Sequence, residues 1–261
     1  MGKVGIDLGD AGKELVDKIA NALGILYDPL GIKSSERDFT KKMYAEIADN
    51  NNLTIEEKML LVNEYKFLIK KSKNRKEILQ NVYVHLEELA RPQEIEDSWL
   101  LDYWDRIGNV ADPIYRDIWA RILVEEANCP NTVSRRLMFN LSLMGKRDAE
   151  NFLNLSRFCF FDKESDLVYP IVFIRDEQTS YKKSGITTEK MYELEQFSLV
   201  ETNYESGFAF NSQKKLMYTN HYIEFKSNRT NIGNVRLTDD GQMLFKIIEK
   251  RNNDQILSFT L

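Results

Sequence analysis

The chain has 261 residues, 43% of them hydrophobic and 30% charged, with a formal net charge of −5. That length and apolar content can fill a real core in one large domain or two modest ones, which excludes disorder throughout. The nearly balanced charge excludes both a polyanion-coating protein and a strongly acidic one, so any nucleic-acid surface has to be local.

Two cysteines, Cys129 and Cys159, carry no pairing pattern and no metal-ligand spacing. The opening MGKVGIDLGD lacks the apolar core of an export signal, and the longest apolar runs fall far short of the roughly 20 residues that span a bilayer. The expectation is a soluble protein of a reducing cytoplasm.

In chain order, Asp10 reads as the N-cap of an amphipathic helix with Leu15, Ile19, Leu23 and Leu26 on one stripe, closed by Gly24 and Asp28-Pro29. A second helix is predicted over about Ser35 to Ala48, broken by the polar run Asp49 to Asn52. Thr54-Ile55-Glu56-Glu57 is a capping box, in which the threonine hydroxyl and the Glu57 carboxylate each satisfy an unpaired backbone donor. It opens a helical region reaching about Leu89, either one long helix or two separated by the polar segment Lys70 to Lys76; Met59, Val62, Ile69, Ile78, Val82, Leu86 and Leu89 keep helical spacing. After Pro92, Asp97-Ser98 caps a helix carrying Trp99, Tyr103, Trp104, Ile107 and Val110.

The stretch DPIYRDIWARILVEEANCP (112 to 130) then starts a helix sharply, with an aspartate N-cap before a proline at the first position. Its Ile114, Ile118, Trp119, Ile122 and Leu123 are predicted core. Thr132 or Ser134 caps a further helix ended by Gly145, and another runs from about Arg147 to Phe158. Beyond Phe161 the pattern changes. Val168 to Ile174 reads as strand, Thr187 or Thr188 begins a short helix through Leu194, and Leu199 to Glu201 reads as extended. Short β-prone pieces at 208–210, 216–218, 222–225 and 235–237 lead to Thr238, the cap of a last helix with Met243, Leu244, Ile247 and Ile248.

Two stretches, GIDLGDAGKELVDKIANALGILYDPLGIK and DSWLLDYWDRIGNVADPIYRDIWARILVEEANCPNTVSRRLMFNLSLMGKRDAENFLNLSRF, resemble a bacterial family known as domain of unknown function 2806. The order of the elements is more distantly similar to the alpha-type abortive-infection proteins of bacteria. The resemblance implies an architecture and a context of phage defence, and brings no catalytic residue to carry over. The sequence departs from the pattern at Arg116, where glutamine is expected, and at Pro130-Asn131, where Pro-Gly is usual. The order helix, short strands, then Leu237-Thr238-Asp239-Asp240-Gly241 opening a helix resembles a winged-helix domain.

Chemistry finds little support. Glu125 and Glu126 are adjacent on a helix and so point about 100° apart, which does not converge them on one reacting centre. With Arg121 four positions before Glu125 they read as a solvated, ion-paired face, and changing either to glutamine is expected to leave stability nearly unchanged. The two histidines, His85 and His221, do not form a metal cluster with the cysteines; His85 reads as a core or boundary residue. Neither a dinucleotide fingerprint nor a nucleotide P-loop is present.

Two basic runs stand out. Lys66, Lys70, Lys71, Lys73, Arg75 and Lys76 read as a solvated face of the long helical region. Lys214, Lys215, Lys226, Arg229 and Arg236, with only Glu224 against them in 211–236 and with Tyr218, Tyr222 and Phe225 interleaved, form the candidate nucleic-acid surface. The helix before them is acidic, with Glu189, Glu193 and Glu195 against Lys190, and would be repelled by phosphate.

The reading is a mainly α chain, a helical domain over 1–160 followed by a smaller winged-helix-like α+β domain over 161–261. It is read as a non-enzymatic cytoplasmic interaction protein of anti-phage defence, with a protein partner or self-association, no cofactor and no identified small-molecule substrate. The alternatives are a nucleic-acid-binding module using the second basic run, and a membrane-perturbing effector using the N-terminal amphipathic helix. The nearly neutral polar face of that helix favours packing over a membrane.

Overall fold

The computed structural model of the chain describes residues 9–23, 36–174, 179–219 and 221–258. Among them are ten α-helices and eight short strands, so the chain is mainly α. Contacts divide it into two compact units, Met1–Val133 and Ser134–Leu261. The boundary expected near residue 160 falls inside the second.

The first unit is helical. Helix α1 (Gly9–Leu23) buries Leu15 and Ile19 and packs on the short 3-10 turn Pro92–Glu94 and on α4 (Asp97–Ile107). Lys18 reaches Asp97 at 2.6 Å, and the Gln93 amide donates to the Glu14 carbonyl at 3.0 Å. Asp10 lies in the first turn rather than at the cap. Gly24, Leu26 and Asp28-Pro29, like Ser35 before the second helix, lie outside the described residues.

Helix α2 (Glu36–Asp49) is followed by α3 (Ile55–His85), a single helix of 31 residues that resolves the choice between one and two. The capping box at its start is formed as expected: the Glu57 amide donates to the Thr54 hydroxyl at 3.2 Å, and the Thr54 amide donates to the Glu57 carboxylate at 2.8 Å. The helix stops at His85, so Leu89 lies outside it and is exposed.

Only the second half of α3 is buried, where Ile78, Leu79 and Val82 pack against α4 and α5 (Pro113–Asn128). A polar clamp fixes this packing. Asn74, buried, donates to the Gly108 carbonyl at 2.8 Å and accepts from Arg116 at 2.7 Å. Arg116 also bonds Glu77 and donates to the Val110 carbonyl at 3.1 Å. Arg116 therefore works as a structural clasp. Arg75 lies over the Trp104 ring and donates to the Trp104 carbonyl at 3.0 Å. A Cβ at Gly108 would meet that guanidinium at 3.2 Å, so only glycine gives the close approach without displacing it.

The second unit begins with α6 (Arg135–Leu143), capped by Ser134 as one of the two expected residues, and α7 (Lys146–Ser156). Then come β1 (Cys159–Asp162), β2 (Leu167–Pro170), α8 (Thr179–Lys183), α9 (Thr188–Gln196), β3 (Val200–Thr202), β4 (Phe208–Phe210), β5 (Lys214–Tyr218), β6 (His221–Phe225), β7 (Thr230–Gly233), β8 (Val235–Leu237) and α10 (Asp239–Ser258). The strands form an antiparallel sheet ordered β2-β1-β5-β6 and two antiparallel ribbons, β3-β8 and β4-β7.

Strands β1 and β7 and helix α8 are additions to the sequence reading, and the expected strand 168–174 stops at Pro170. Val172 instead bridges Gly233, whose φ of +110° and place against the Val172 carbonyl exclude a side chain. Phe210, Leu216 and Ile232 centre the core between sheet and ribbon. The buried Asp240 carboxylate on α10 accepts from Ser134 at 2.7 Å and Arg136 at 2.6 Å, which ties the start of α6 to the start of α10. Thr238 caps α10 as expected, accepting from Gly241 at 3.1 Å. The Gln242 amide pairs with both backbone groups of Val168, at 2.8 and 2.7 Å, as another strand would.

Candidate functional site

Three places in the chain offered chemistry or binding, and the structure sorts them differently. In α5, Asp112 caps the helix through the Ile114 and Tyr115 amides at 2.8 and 3.3 Å, with Pro113 in the first turn. Ile118, Trp119, Ile122 and Leu123 are core, as expected; Ile114 is 51% exposed and is not. Trp119 packs against Tyr103, whose ring stacks on Trp99 at 5.3 Å and whose hydroxyl donates to the Trp119 carbonyl at 2.9 Å. Burial drives the Tyr103 phenol well above its ordinary value.

Glu126 corrects the reading of a solvated face. It is 1% exposed, and its carboxylate accepts from the Asn131 amide at 2.7 Å and the Val133 amide at 2.9 Å. Burial pushes its carboxyl up, and the Val133, Asn131 and Thr132 amides pull it only part of the way back. Val133 is held from both sides, since its carbonyl accepts from the Trp99 indole at 2.8 Å. Glu126 is therefore the clasp of the turn after α5, where Asn131 takes a φ of +68°. Sequence spacing hid this, because the partners are backbone amides that have no residue signature. Arg121, four residues before Glu125, is also buried; it reaches Asp117 at 3.3 Å and approaches His85 at 3.4 Å, which makes His85 a boundary residue.

The basic segment 211–236 is spread over the four-stranded sheet and both ribbons. Lys214 on β5 pairs with the buried Asp162 at 2.6 Å. Lys215 faces Glu224 across the β5-β6 pair at 3.9 Å and lies over the Tyr222 ring at 4.8 Å. Arg236 on β8 pairs with Glu201 on β3, opposite it in register, and lies over Phe208. Lys226 and Arg229 are exposed between β6 and β7. Three of the five candidate cations thus have an acidic partner within the unit. The acidic residues of α9 are also engaged: Glu193 accepts from Arg147 and Asn151, each at 2.9 Å, and Glu195 accepts from the Thr202 amide and hydroxyl at 2.8 and 2.9 Å.

The Lys214 pair is a stability element with a defined pH window. Burial pushes the Asp162 carboxyl up, but the Lys214 ammonium, the Ser165 hydroxyl and the Glu164 amide bond its ionised form and leave it below its ordinary 3.8. Its contribution is complete above pH 3.8 and is lost as pH falls through the lower folded-state value. Lys214→Ala leaves a buried carboxylate without its counter-ion and should cost about 1 to 3 kcal/mol in urea unfolding at pH 7. That cost should shrink as pH is lowered through the same window; a pH-independent cost would contradict the assignment.

The third place is the first half of α3. Leu60 is 64% exposed, Phe67 56% and Leu68 55%. At 100° per residue they lie on the same side of the helix that carries Ile78, Leu79 and Val82 into the core about three to six turns later. Glu64 and Lys71 share the stripe, and Lys71 lies over the Phe67 ring at 4.8 Å. Helix α2 packs on another side, where Lys58 donates to the Ala48 carbonyl at 2.7 Å and Val62, Tyr65 and Ile69 are half-buried. The result is an apolar surface, continuous in sequence pattern with a core face, that stands uncovered in the chain.

A family model described as a protein of unknown function (DUF2806) matches residues 63–259. The chain belongs to the DUF2806 family. The match covers α5, the basic segment and α3 from Asn63 onward, whereas the N-terminal stretch 5–33 lies outside it. No curated protein and no solved structure matches this DUF2806 chain significantly. Among its described residues, no helix is long and apolar enough to cross a membrane, and no group of three or more His, Cys, Asp or Glu is placed to hold a metal ion. Cys159 is buried, which pushes its thiol up and away from a reactive thiolate, and Cys129 is exposed.

Proposed function

We propose that this DUF2806 chain works by protein association in the cytoplasm, without turnover of its own, and that the Leu60, Phe67 and Leu68 face of α3 is its contact surface. The observation that carries the reading is this apolar stripe: three large side chains, each more than half exposed, on a helix whose other half is core. A soluble chain that keeps such a stripe uncovered risks non-specific association, so a partner is the economical account of it. The context we propose is bacterial phage defence, on the resemblance to the alpha-type abortive-infection proteins.

The test combines Phe67→Asp and Leu68→Asp in one variant. Because both side chains are exposed, the variant should keep its helical circular dichroism and unfold within about 0.5 kcal/mol per site of the parent. It should lose the protection against phage plating that the parent gene gives a bacterial host. A folded variant that still protects would remove the contact surface from the proposal, and turnover of a nucleic acid or nucleotide by the purified chain would end the non-enzymatic reading.

For the second unit we propose a winged-helix-like arrangement, supported by the antiparallel β3-β8 ribbon that follows α9 and feeds α10. A second functional reading goes with it: nucleic-acid binding along 211–236, favoured by the exposure of Lys226, Arg229 and Tyr222 around the end of β6. Phosphate contacts of this kind weaken steeply with salt. Reversing Lys226 and Arg229 should abolish binding to single-stranded DNA or RNA at low salt while leaving the Lys214 pair and the fold intact. Absence of low-salt binding by the parent protein would dispose of this reading.

A further inference from the structure

The exposed face of α3 has a direction as well as an apolar character. At 100° per residue this face carries Glu57 and Glu64 in its first turns and Lys71 and Arg75 after Tyr65, whereas Lys66, Lys70 and Lys73 fall on the far side of the helix. The helix is therefore acidic at one end of the exposed stretch and basic at the other. A second copy laid antiparallel sets Glu64 of each face against Lys71 of the other, and also opposes the two helix dipoles. A parallel copy would set like against like.

We propose that the occupant of this face is a second copy of the same chain, bound as an antiparallel, two-fold symmetric pair of α3 helices centred between Phe67 and Leu68. This deepens the association reading above and rests on its assignment of the contact face.

The spacing supports one register. With the two-fold axis between residues 67 and 68, Phe67 of one copy faces Leu68 of the other, and Glu64 faces Lys71, twice by symmetry. Shifting the partner by two turns, to centre the pair on residue 64, sets Glu64 against Glu64, a like-charge contact at the middle of an apolar seam. Leu60 falls opposite Arg75, which is held at the Trp104 carbonyl and largely covered, so this pair marks the end of the contact. The overlap from residue 60 to 75 is about 24 Å long at 1.5 Å per residue. It ends where α3 enters its own core at Asn74 and Ile78, which are buried. In the single chain, the Lys71 ammonium over the Phe67 ring shields part of the stripe; pairing exchanges that contact for Glu64 of the other copy.

A helix pair of this length falls at the small end of specific interfaces, so the dimer should be seen at tens of micromolar protein and dissociate on dilution. Sedimentation velocity of the full chain at low salt should give a species of twice the 30.6 kDa chain mass. Glu64→Lys alone puts lysine against lysine, Lys71→Glu alone puts glutamate against glutamate, and each should weaken dimerisation at least tenfold. The same two changes in one chain should restore it. An equimolar mixture of the two single variants should dimerise where neither does alone, because every facing pair in the mixed dimer is again opposite in charge.

A chain that is monomeric throughout this range, or a dimer indifferent to these charge changes, would overturn the proposal. If the chain is monomeric and the Phe67 and Leu68 variant still loses protection, the face serves a different protein and the association reading stands without this partner. If the charge swap behaves as stated and that variant still protects, the dimer stands and the functional reading fails.

Discussion

Trp119→Ala is expected to lower the unfolding free energy by about 3 to 5 kcal/mol, the range for deleting a large aromatic side chain from a packed core. The indole is 1% exposed and belongs to a row of three rings, Trp99, Tyr103 and Trp119, that joins α4 to α5. Removing it takes away the apolar area and leaves a cavity beside Tyr103, whose hydroxyl bonds the Trp119 carbonyl. The backbone bond itself survives the substitution, so the loss reports packing. Trp119→Phe should recover part of the stability, since a smaller ring still meets Tyr103. Urea unfolding followed by far-ultraviolet circular dichroism, with near-ultraviolet dichroism for the aromatic row, measures both variants; a loss below about 1 kcal/mol for Trp119→Ala would show that the ring is not core.

Glu126→Ala is expected to cost about 2 to 4 kcal/mol, from a site that the spacing of charges presents as solvent-facing. The substitution strips the Val133 amide of its acceptor inside the unit and also releases the Asn131 amide, at about 1 to 3 kcal/mol for each buried donor left unpaired. Amide hydrogen exchange gives a local check, because Val133 should lose protection while Ile122 and Leu123 keep theirs. Glu126→Gln retains one acceptor oxygen and should cost about 1 kcal/mol.

The pH dependence of these variants has a definite sign. Burial raises the Glu126 carboxyl above its ordinary 4.5, so the folded chain holds this proton more tightly than the unfolded one. Its contribution to stability is therefore greatest in acid and falls as pH rises from 4.5 through the folded-state value. The glutamine variant has no such slope. The difference between parent and Glu126→Gln should narrow across that interval, whereas a solvated glutamate would give a flat difference near zero.

Glu126 and Asp240 show where reading along the chain runs out. Both are acids in a pattern of charges on helices, and both are buried because donors converge on them from elsewhere: amides of the following turn for Glu126, and Ser134 and Arg136, more than a hundred residues earlier, for Asp240. Spacing within a helix registers partners three or four residues away and is blind to these. The basic segment fails for the same reason. Lys214 and Arg236 looked free because Asp162 and Glu201 lie far off in sequence, and antiparallel pairing brings them alongside. Strands β1 and β7 escaped notice because they carry no alternation strong enough to read without their partners.

Five helix starts were legible from the residues alone: the Thr54 and Glu57 box, Asp112 before Pro113, Ser134, Thr187 and Thr238 all cap where expected, whereas Asp10 and Asp97, expected as caps, lie in the first turns of α1 and α4. A cap is settled by a side chain and an amide two or three residues apart, so the information is local and complete in a short window. Which apolar faces are core was settled by tertiary contacts instead. Leu60 and Leu79 are the same residue type on the same helix, one 64% exposed and the other fully buried. The difference lies in α5, which begins beside Asn74 and covers α3 only beyond that residue. Burial depends on how far other elements reach, and no periodicity along α3 could have said where its cover ends.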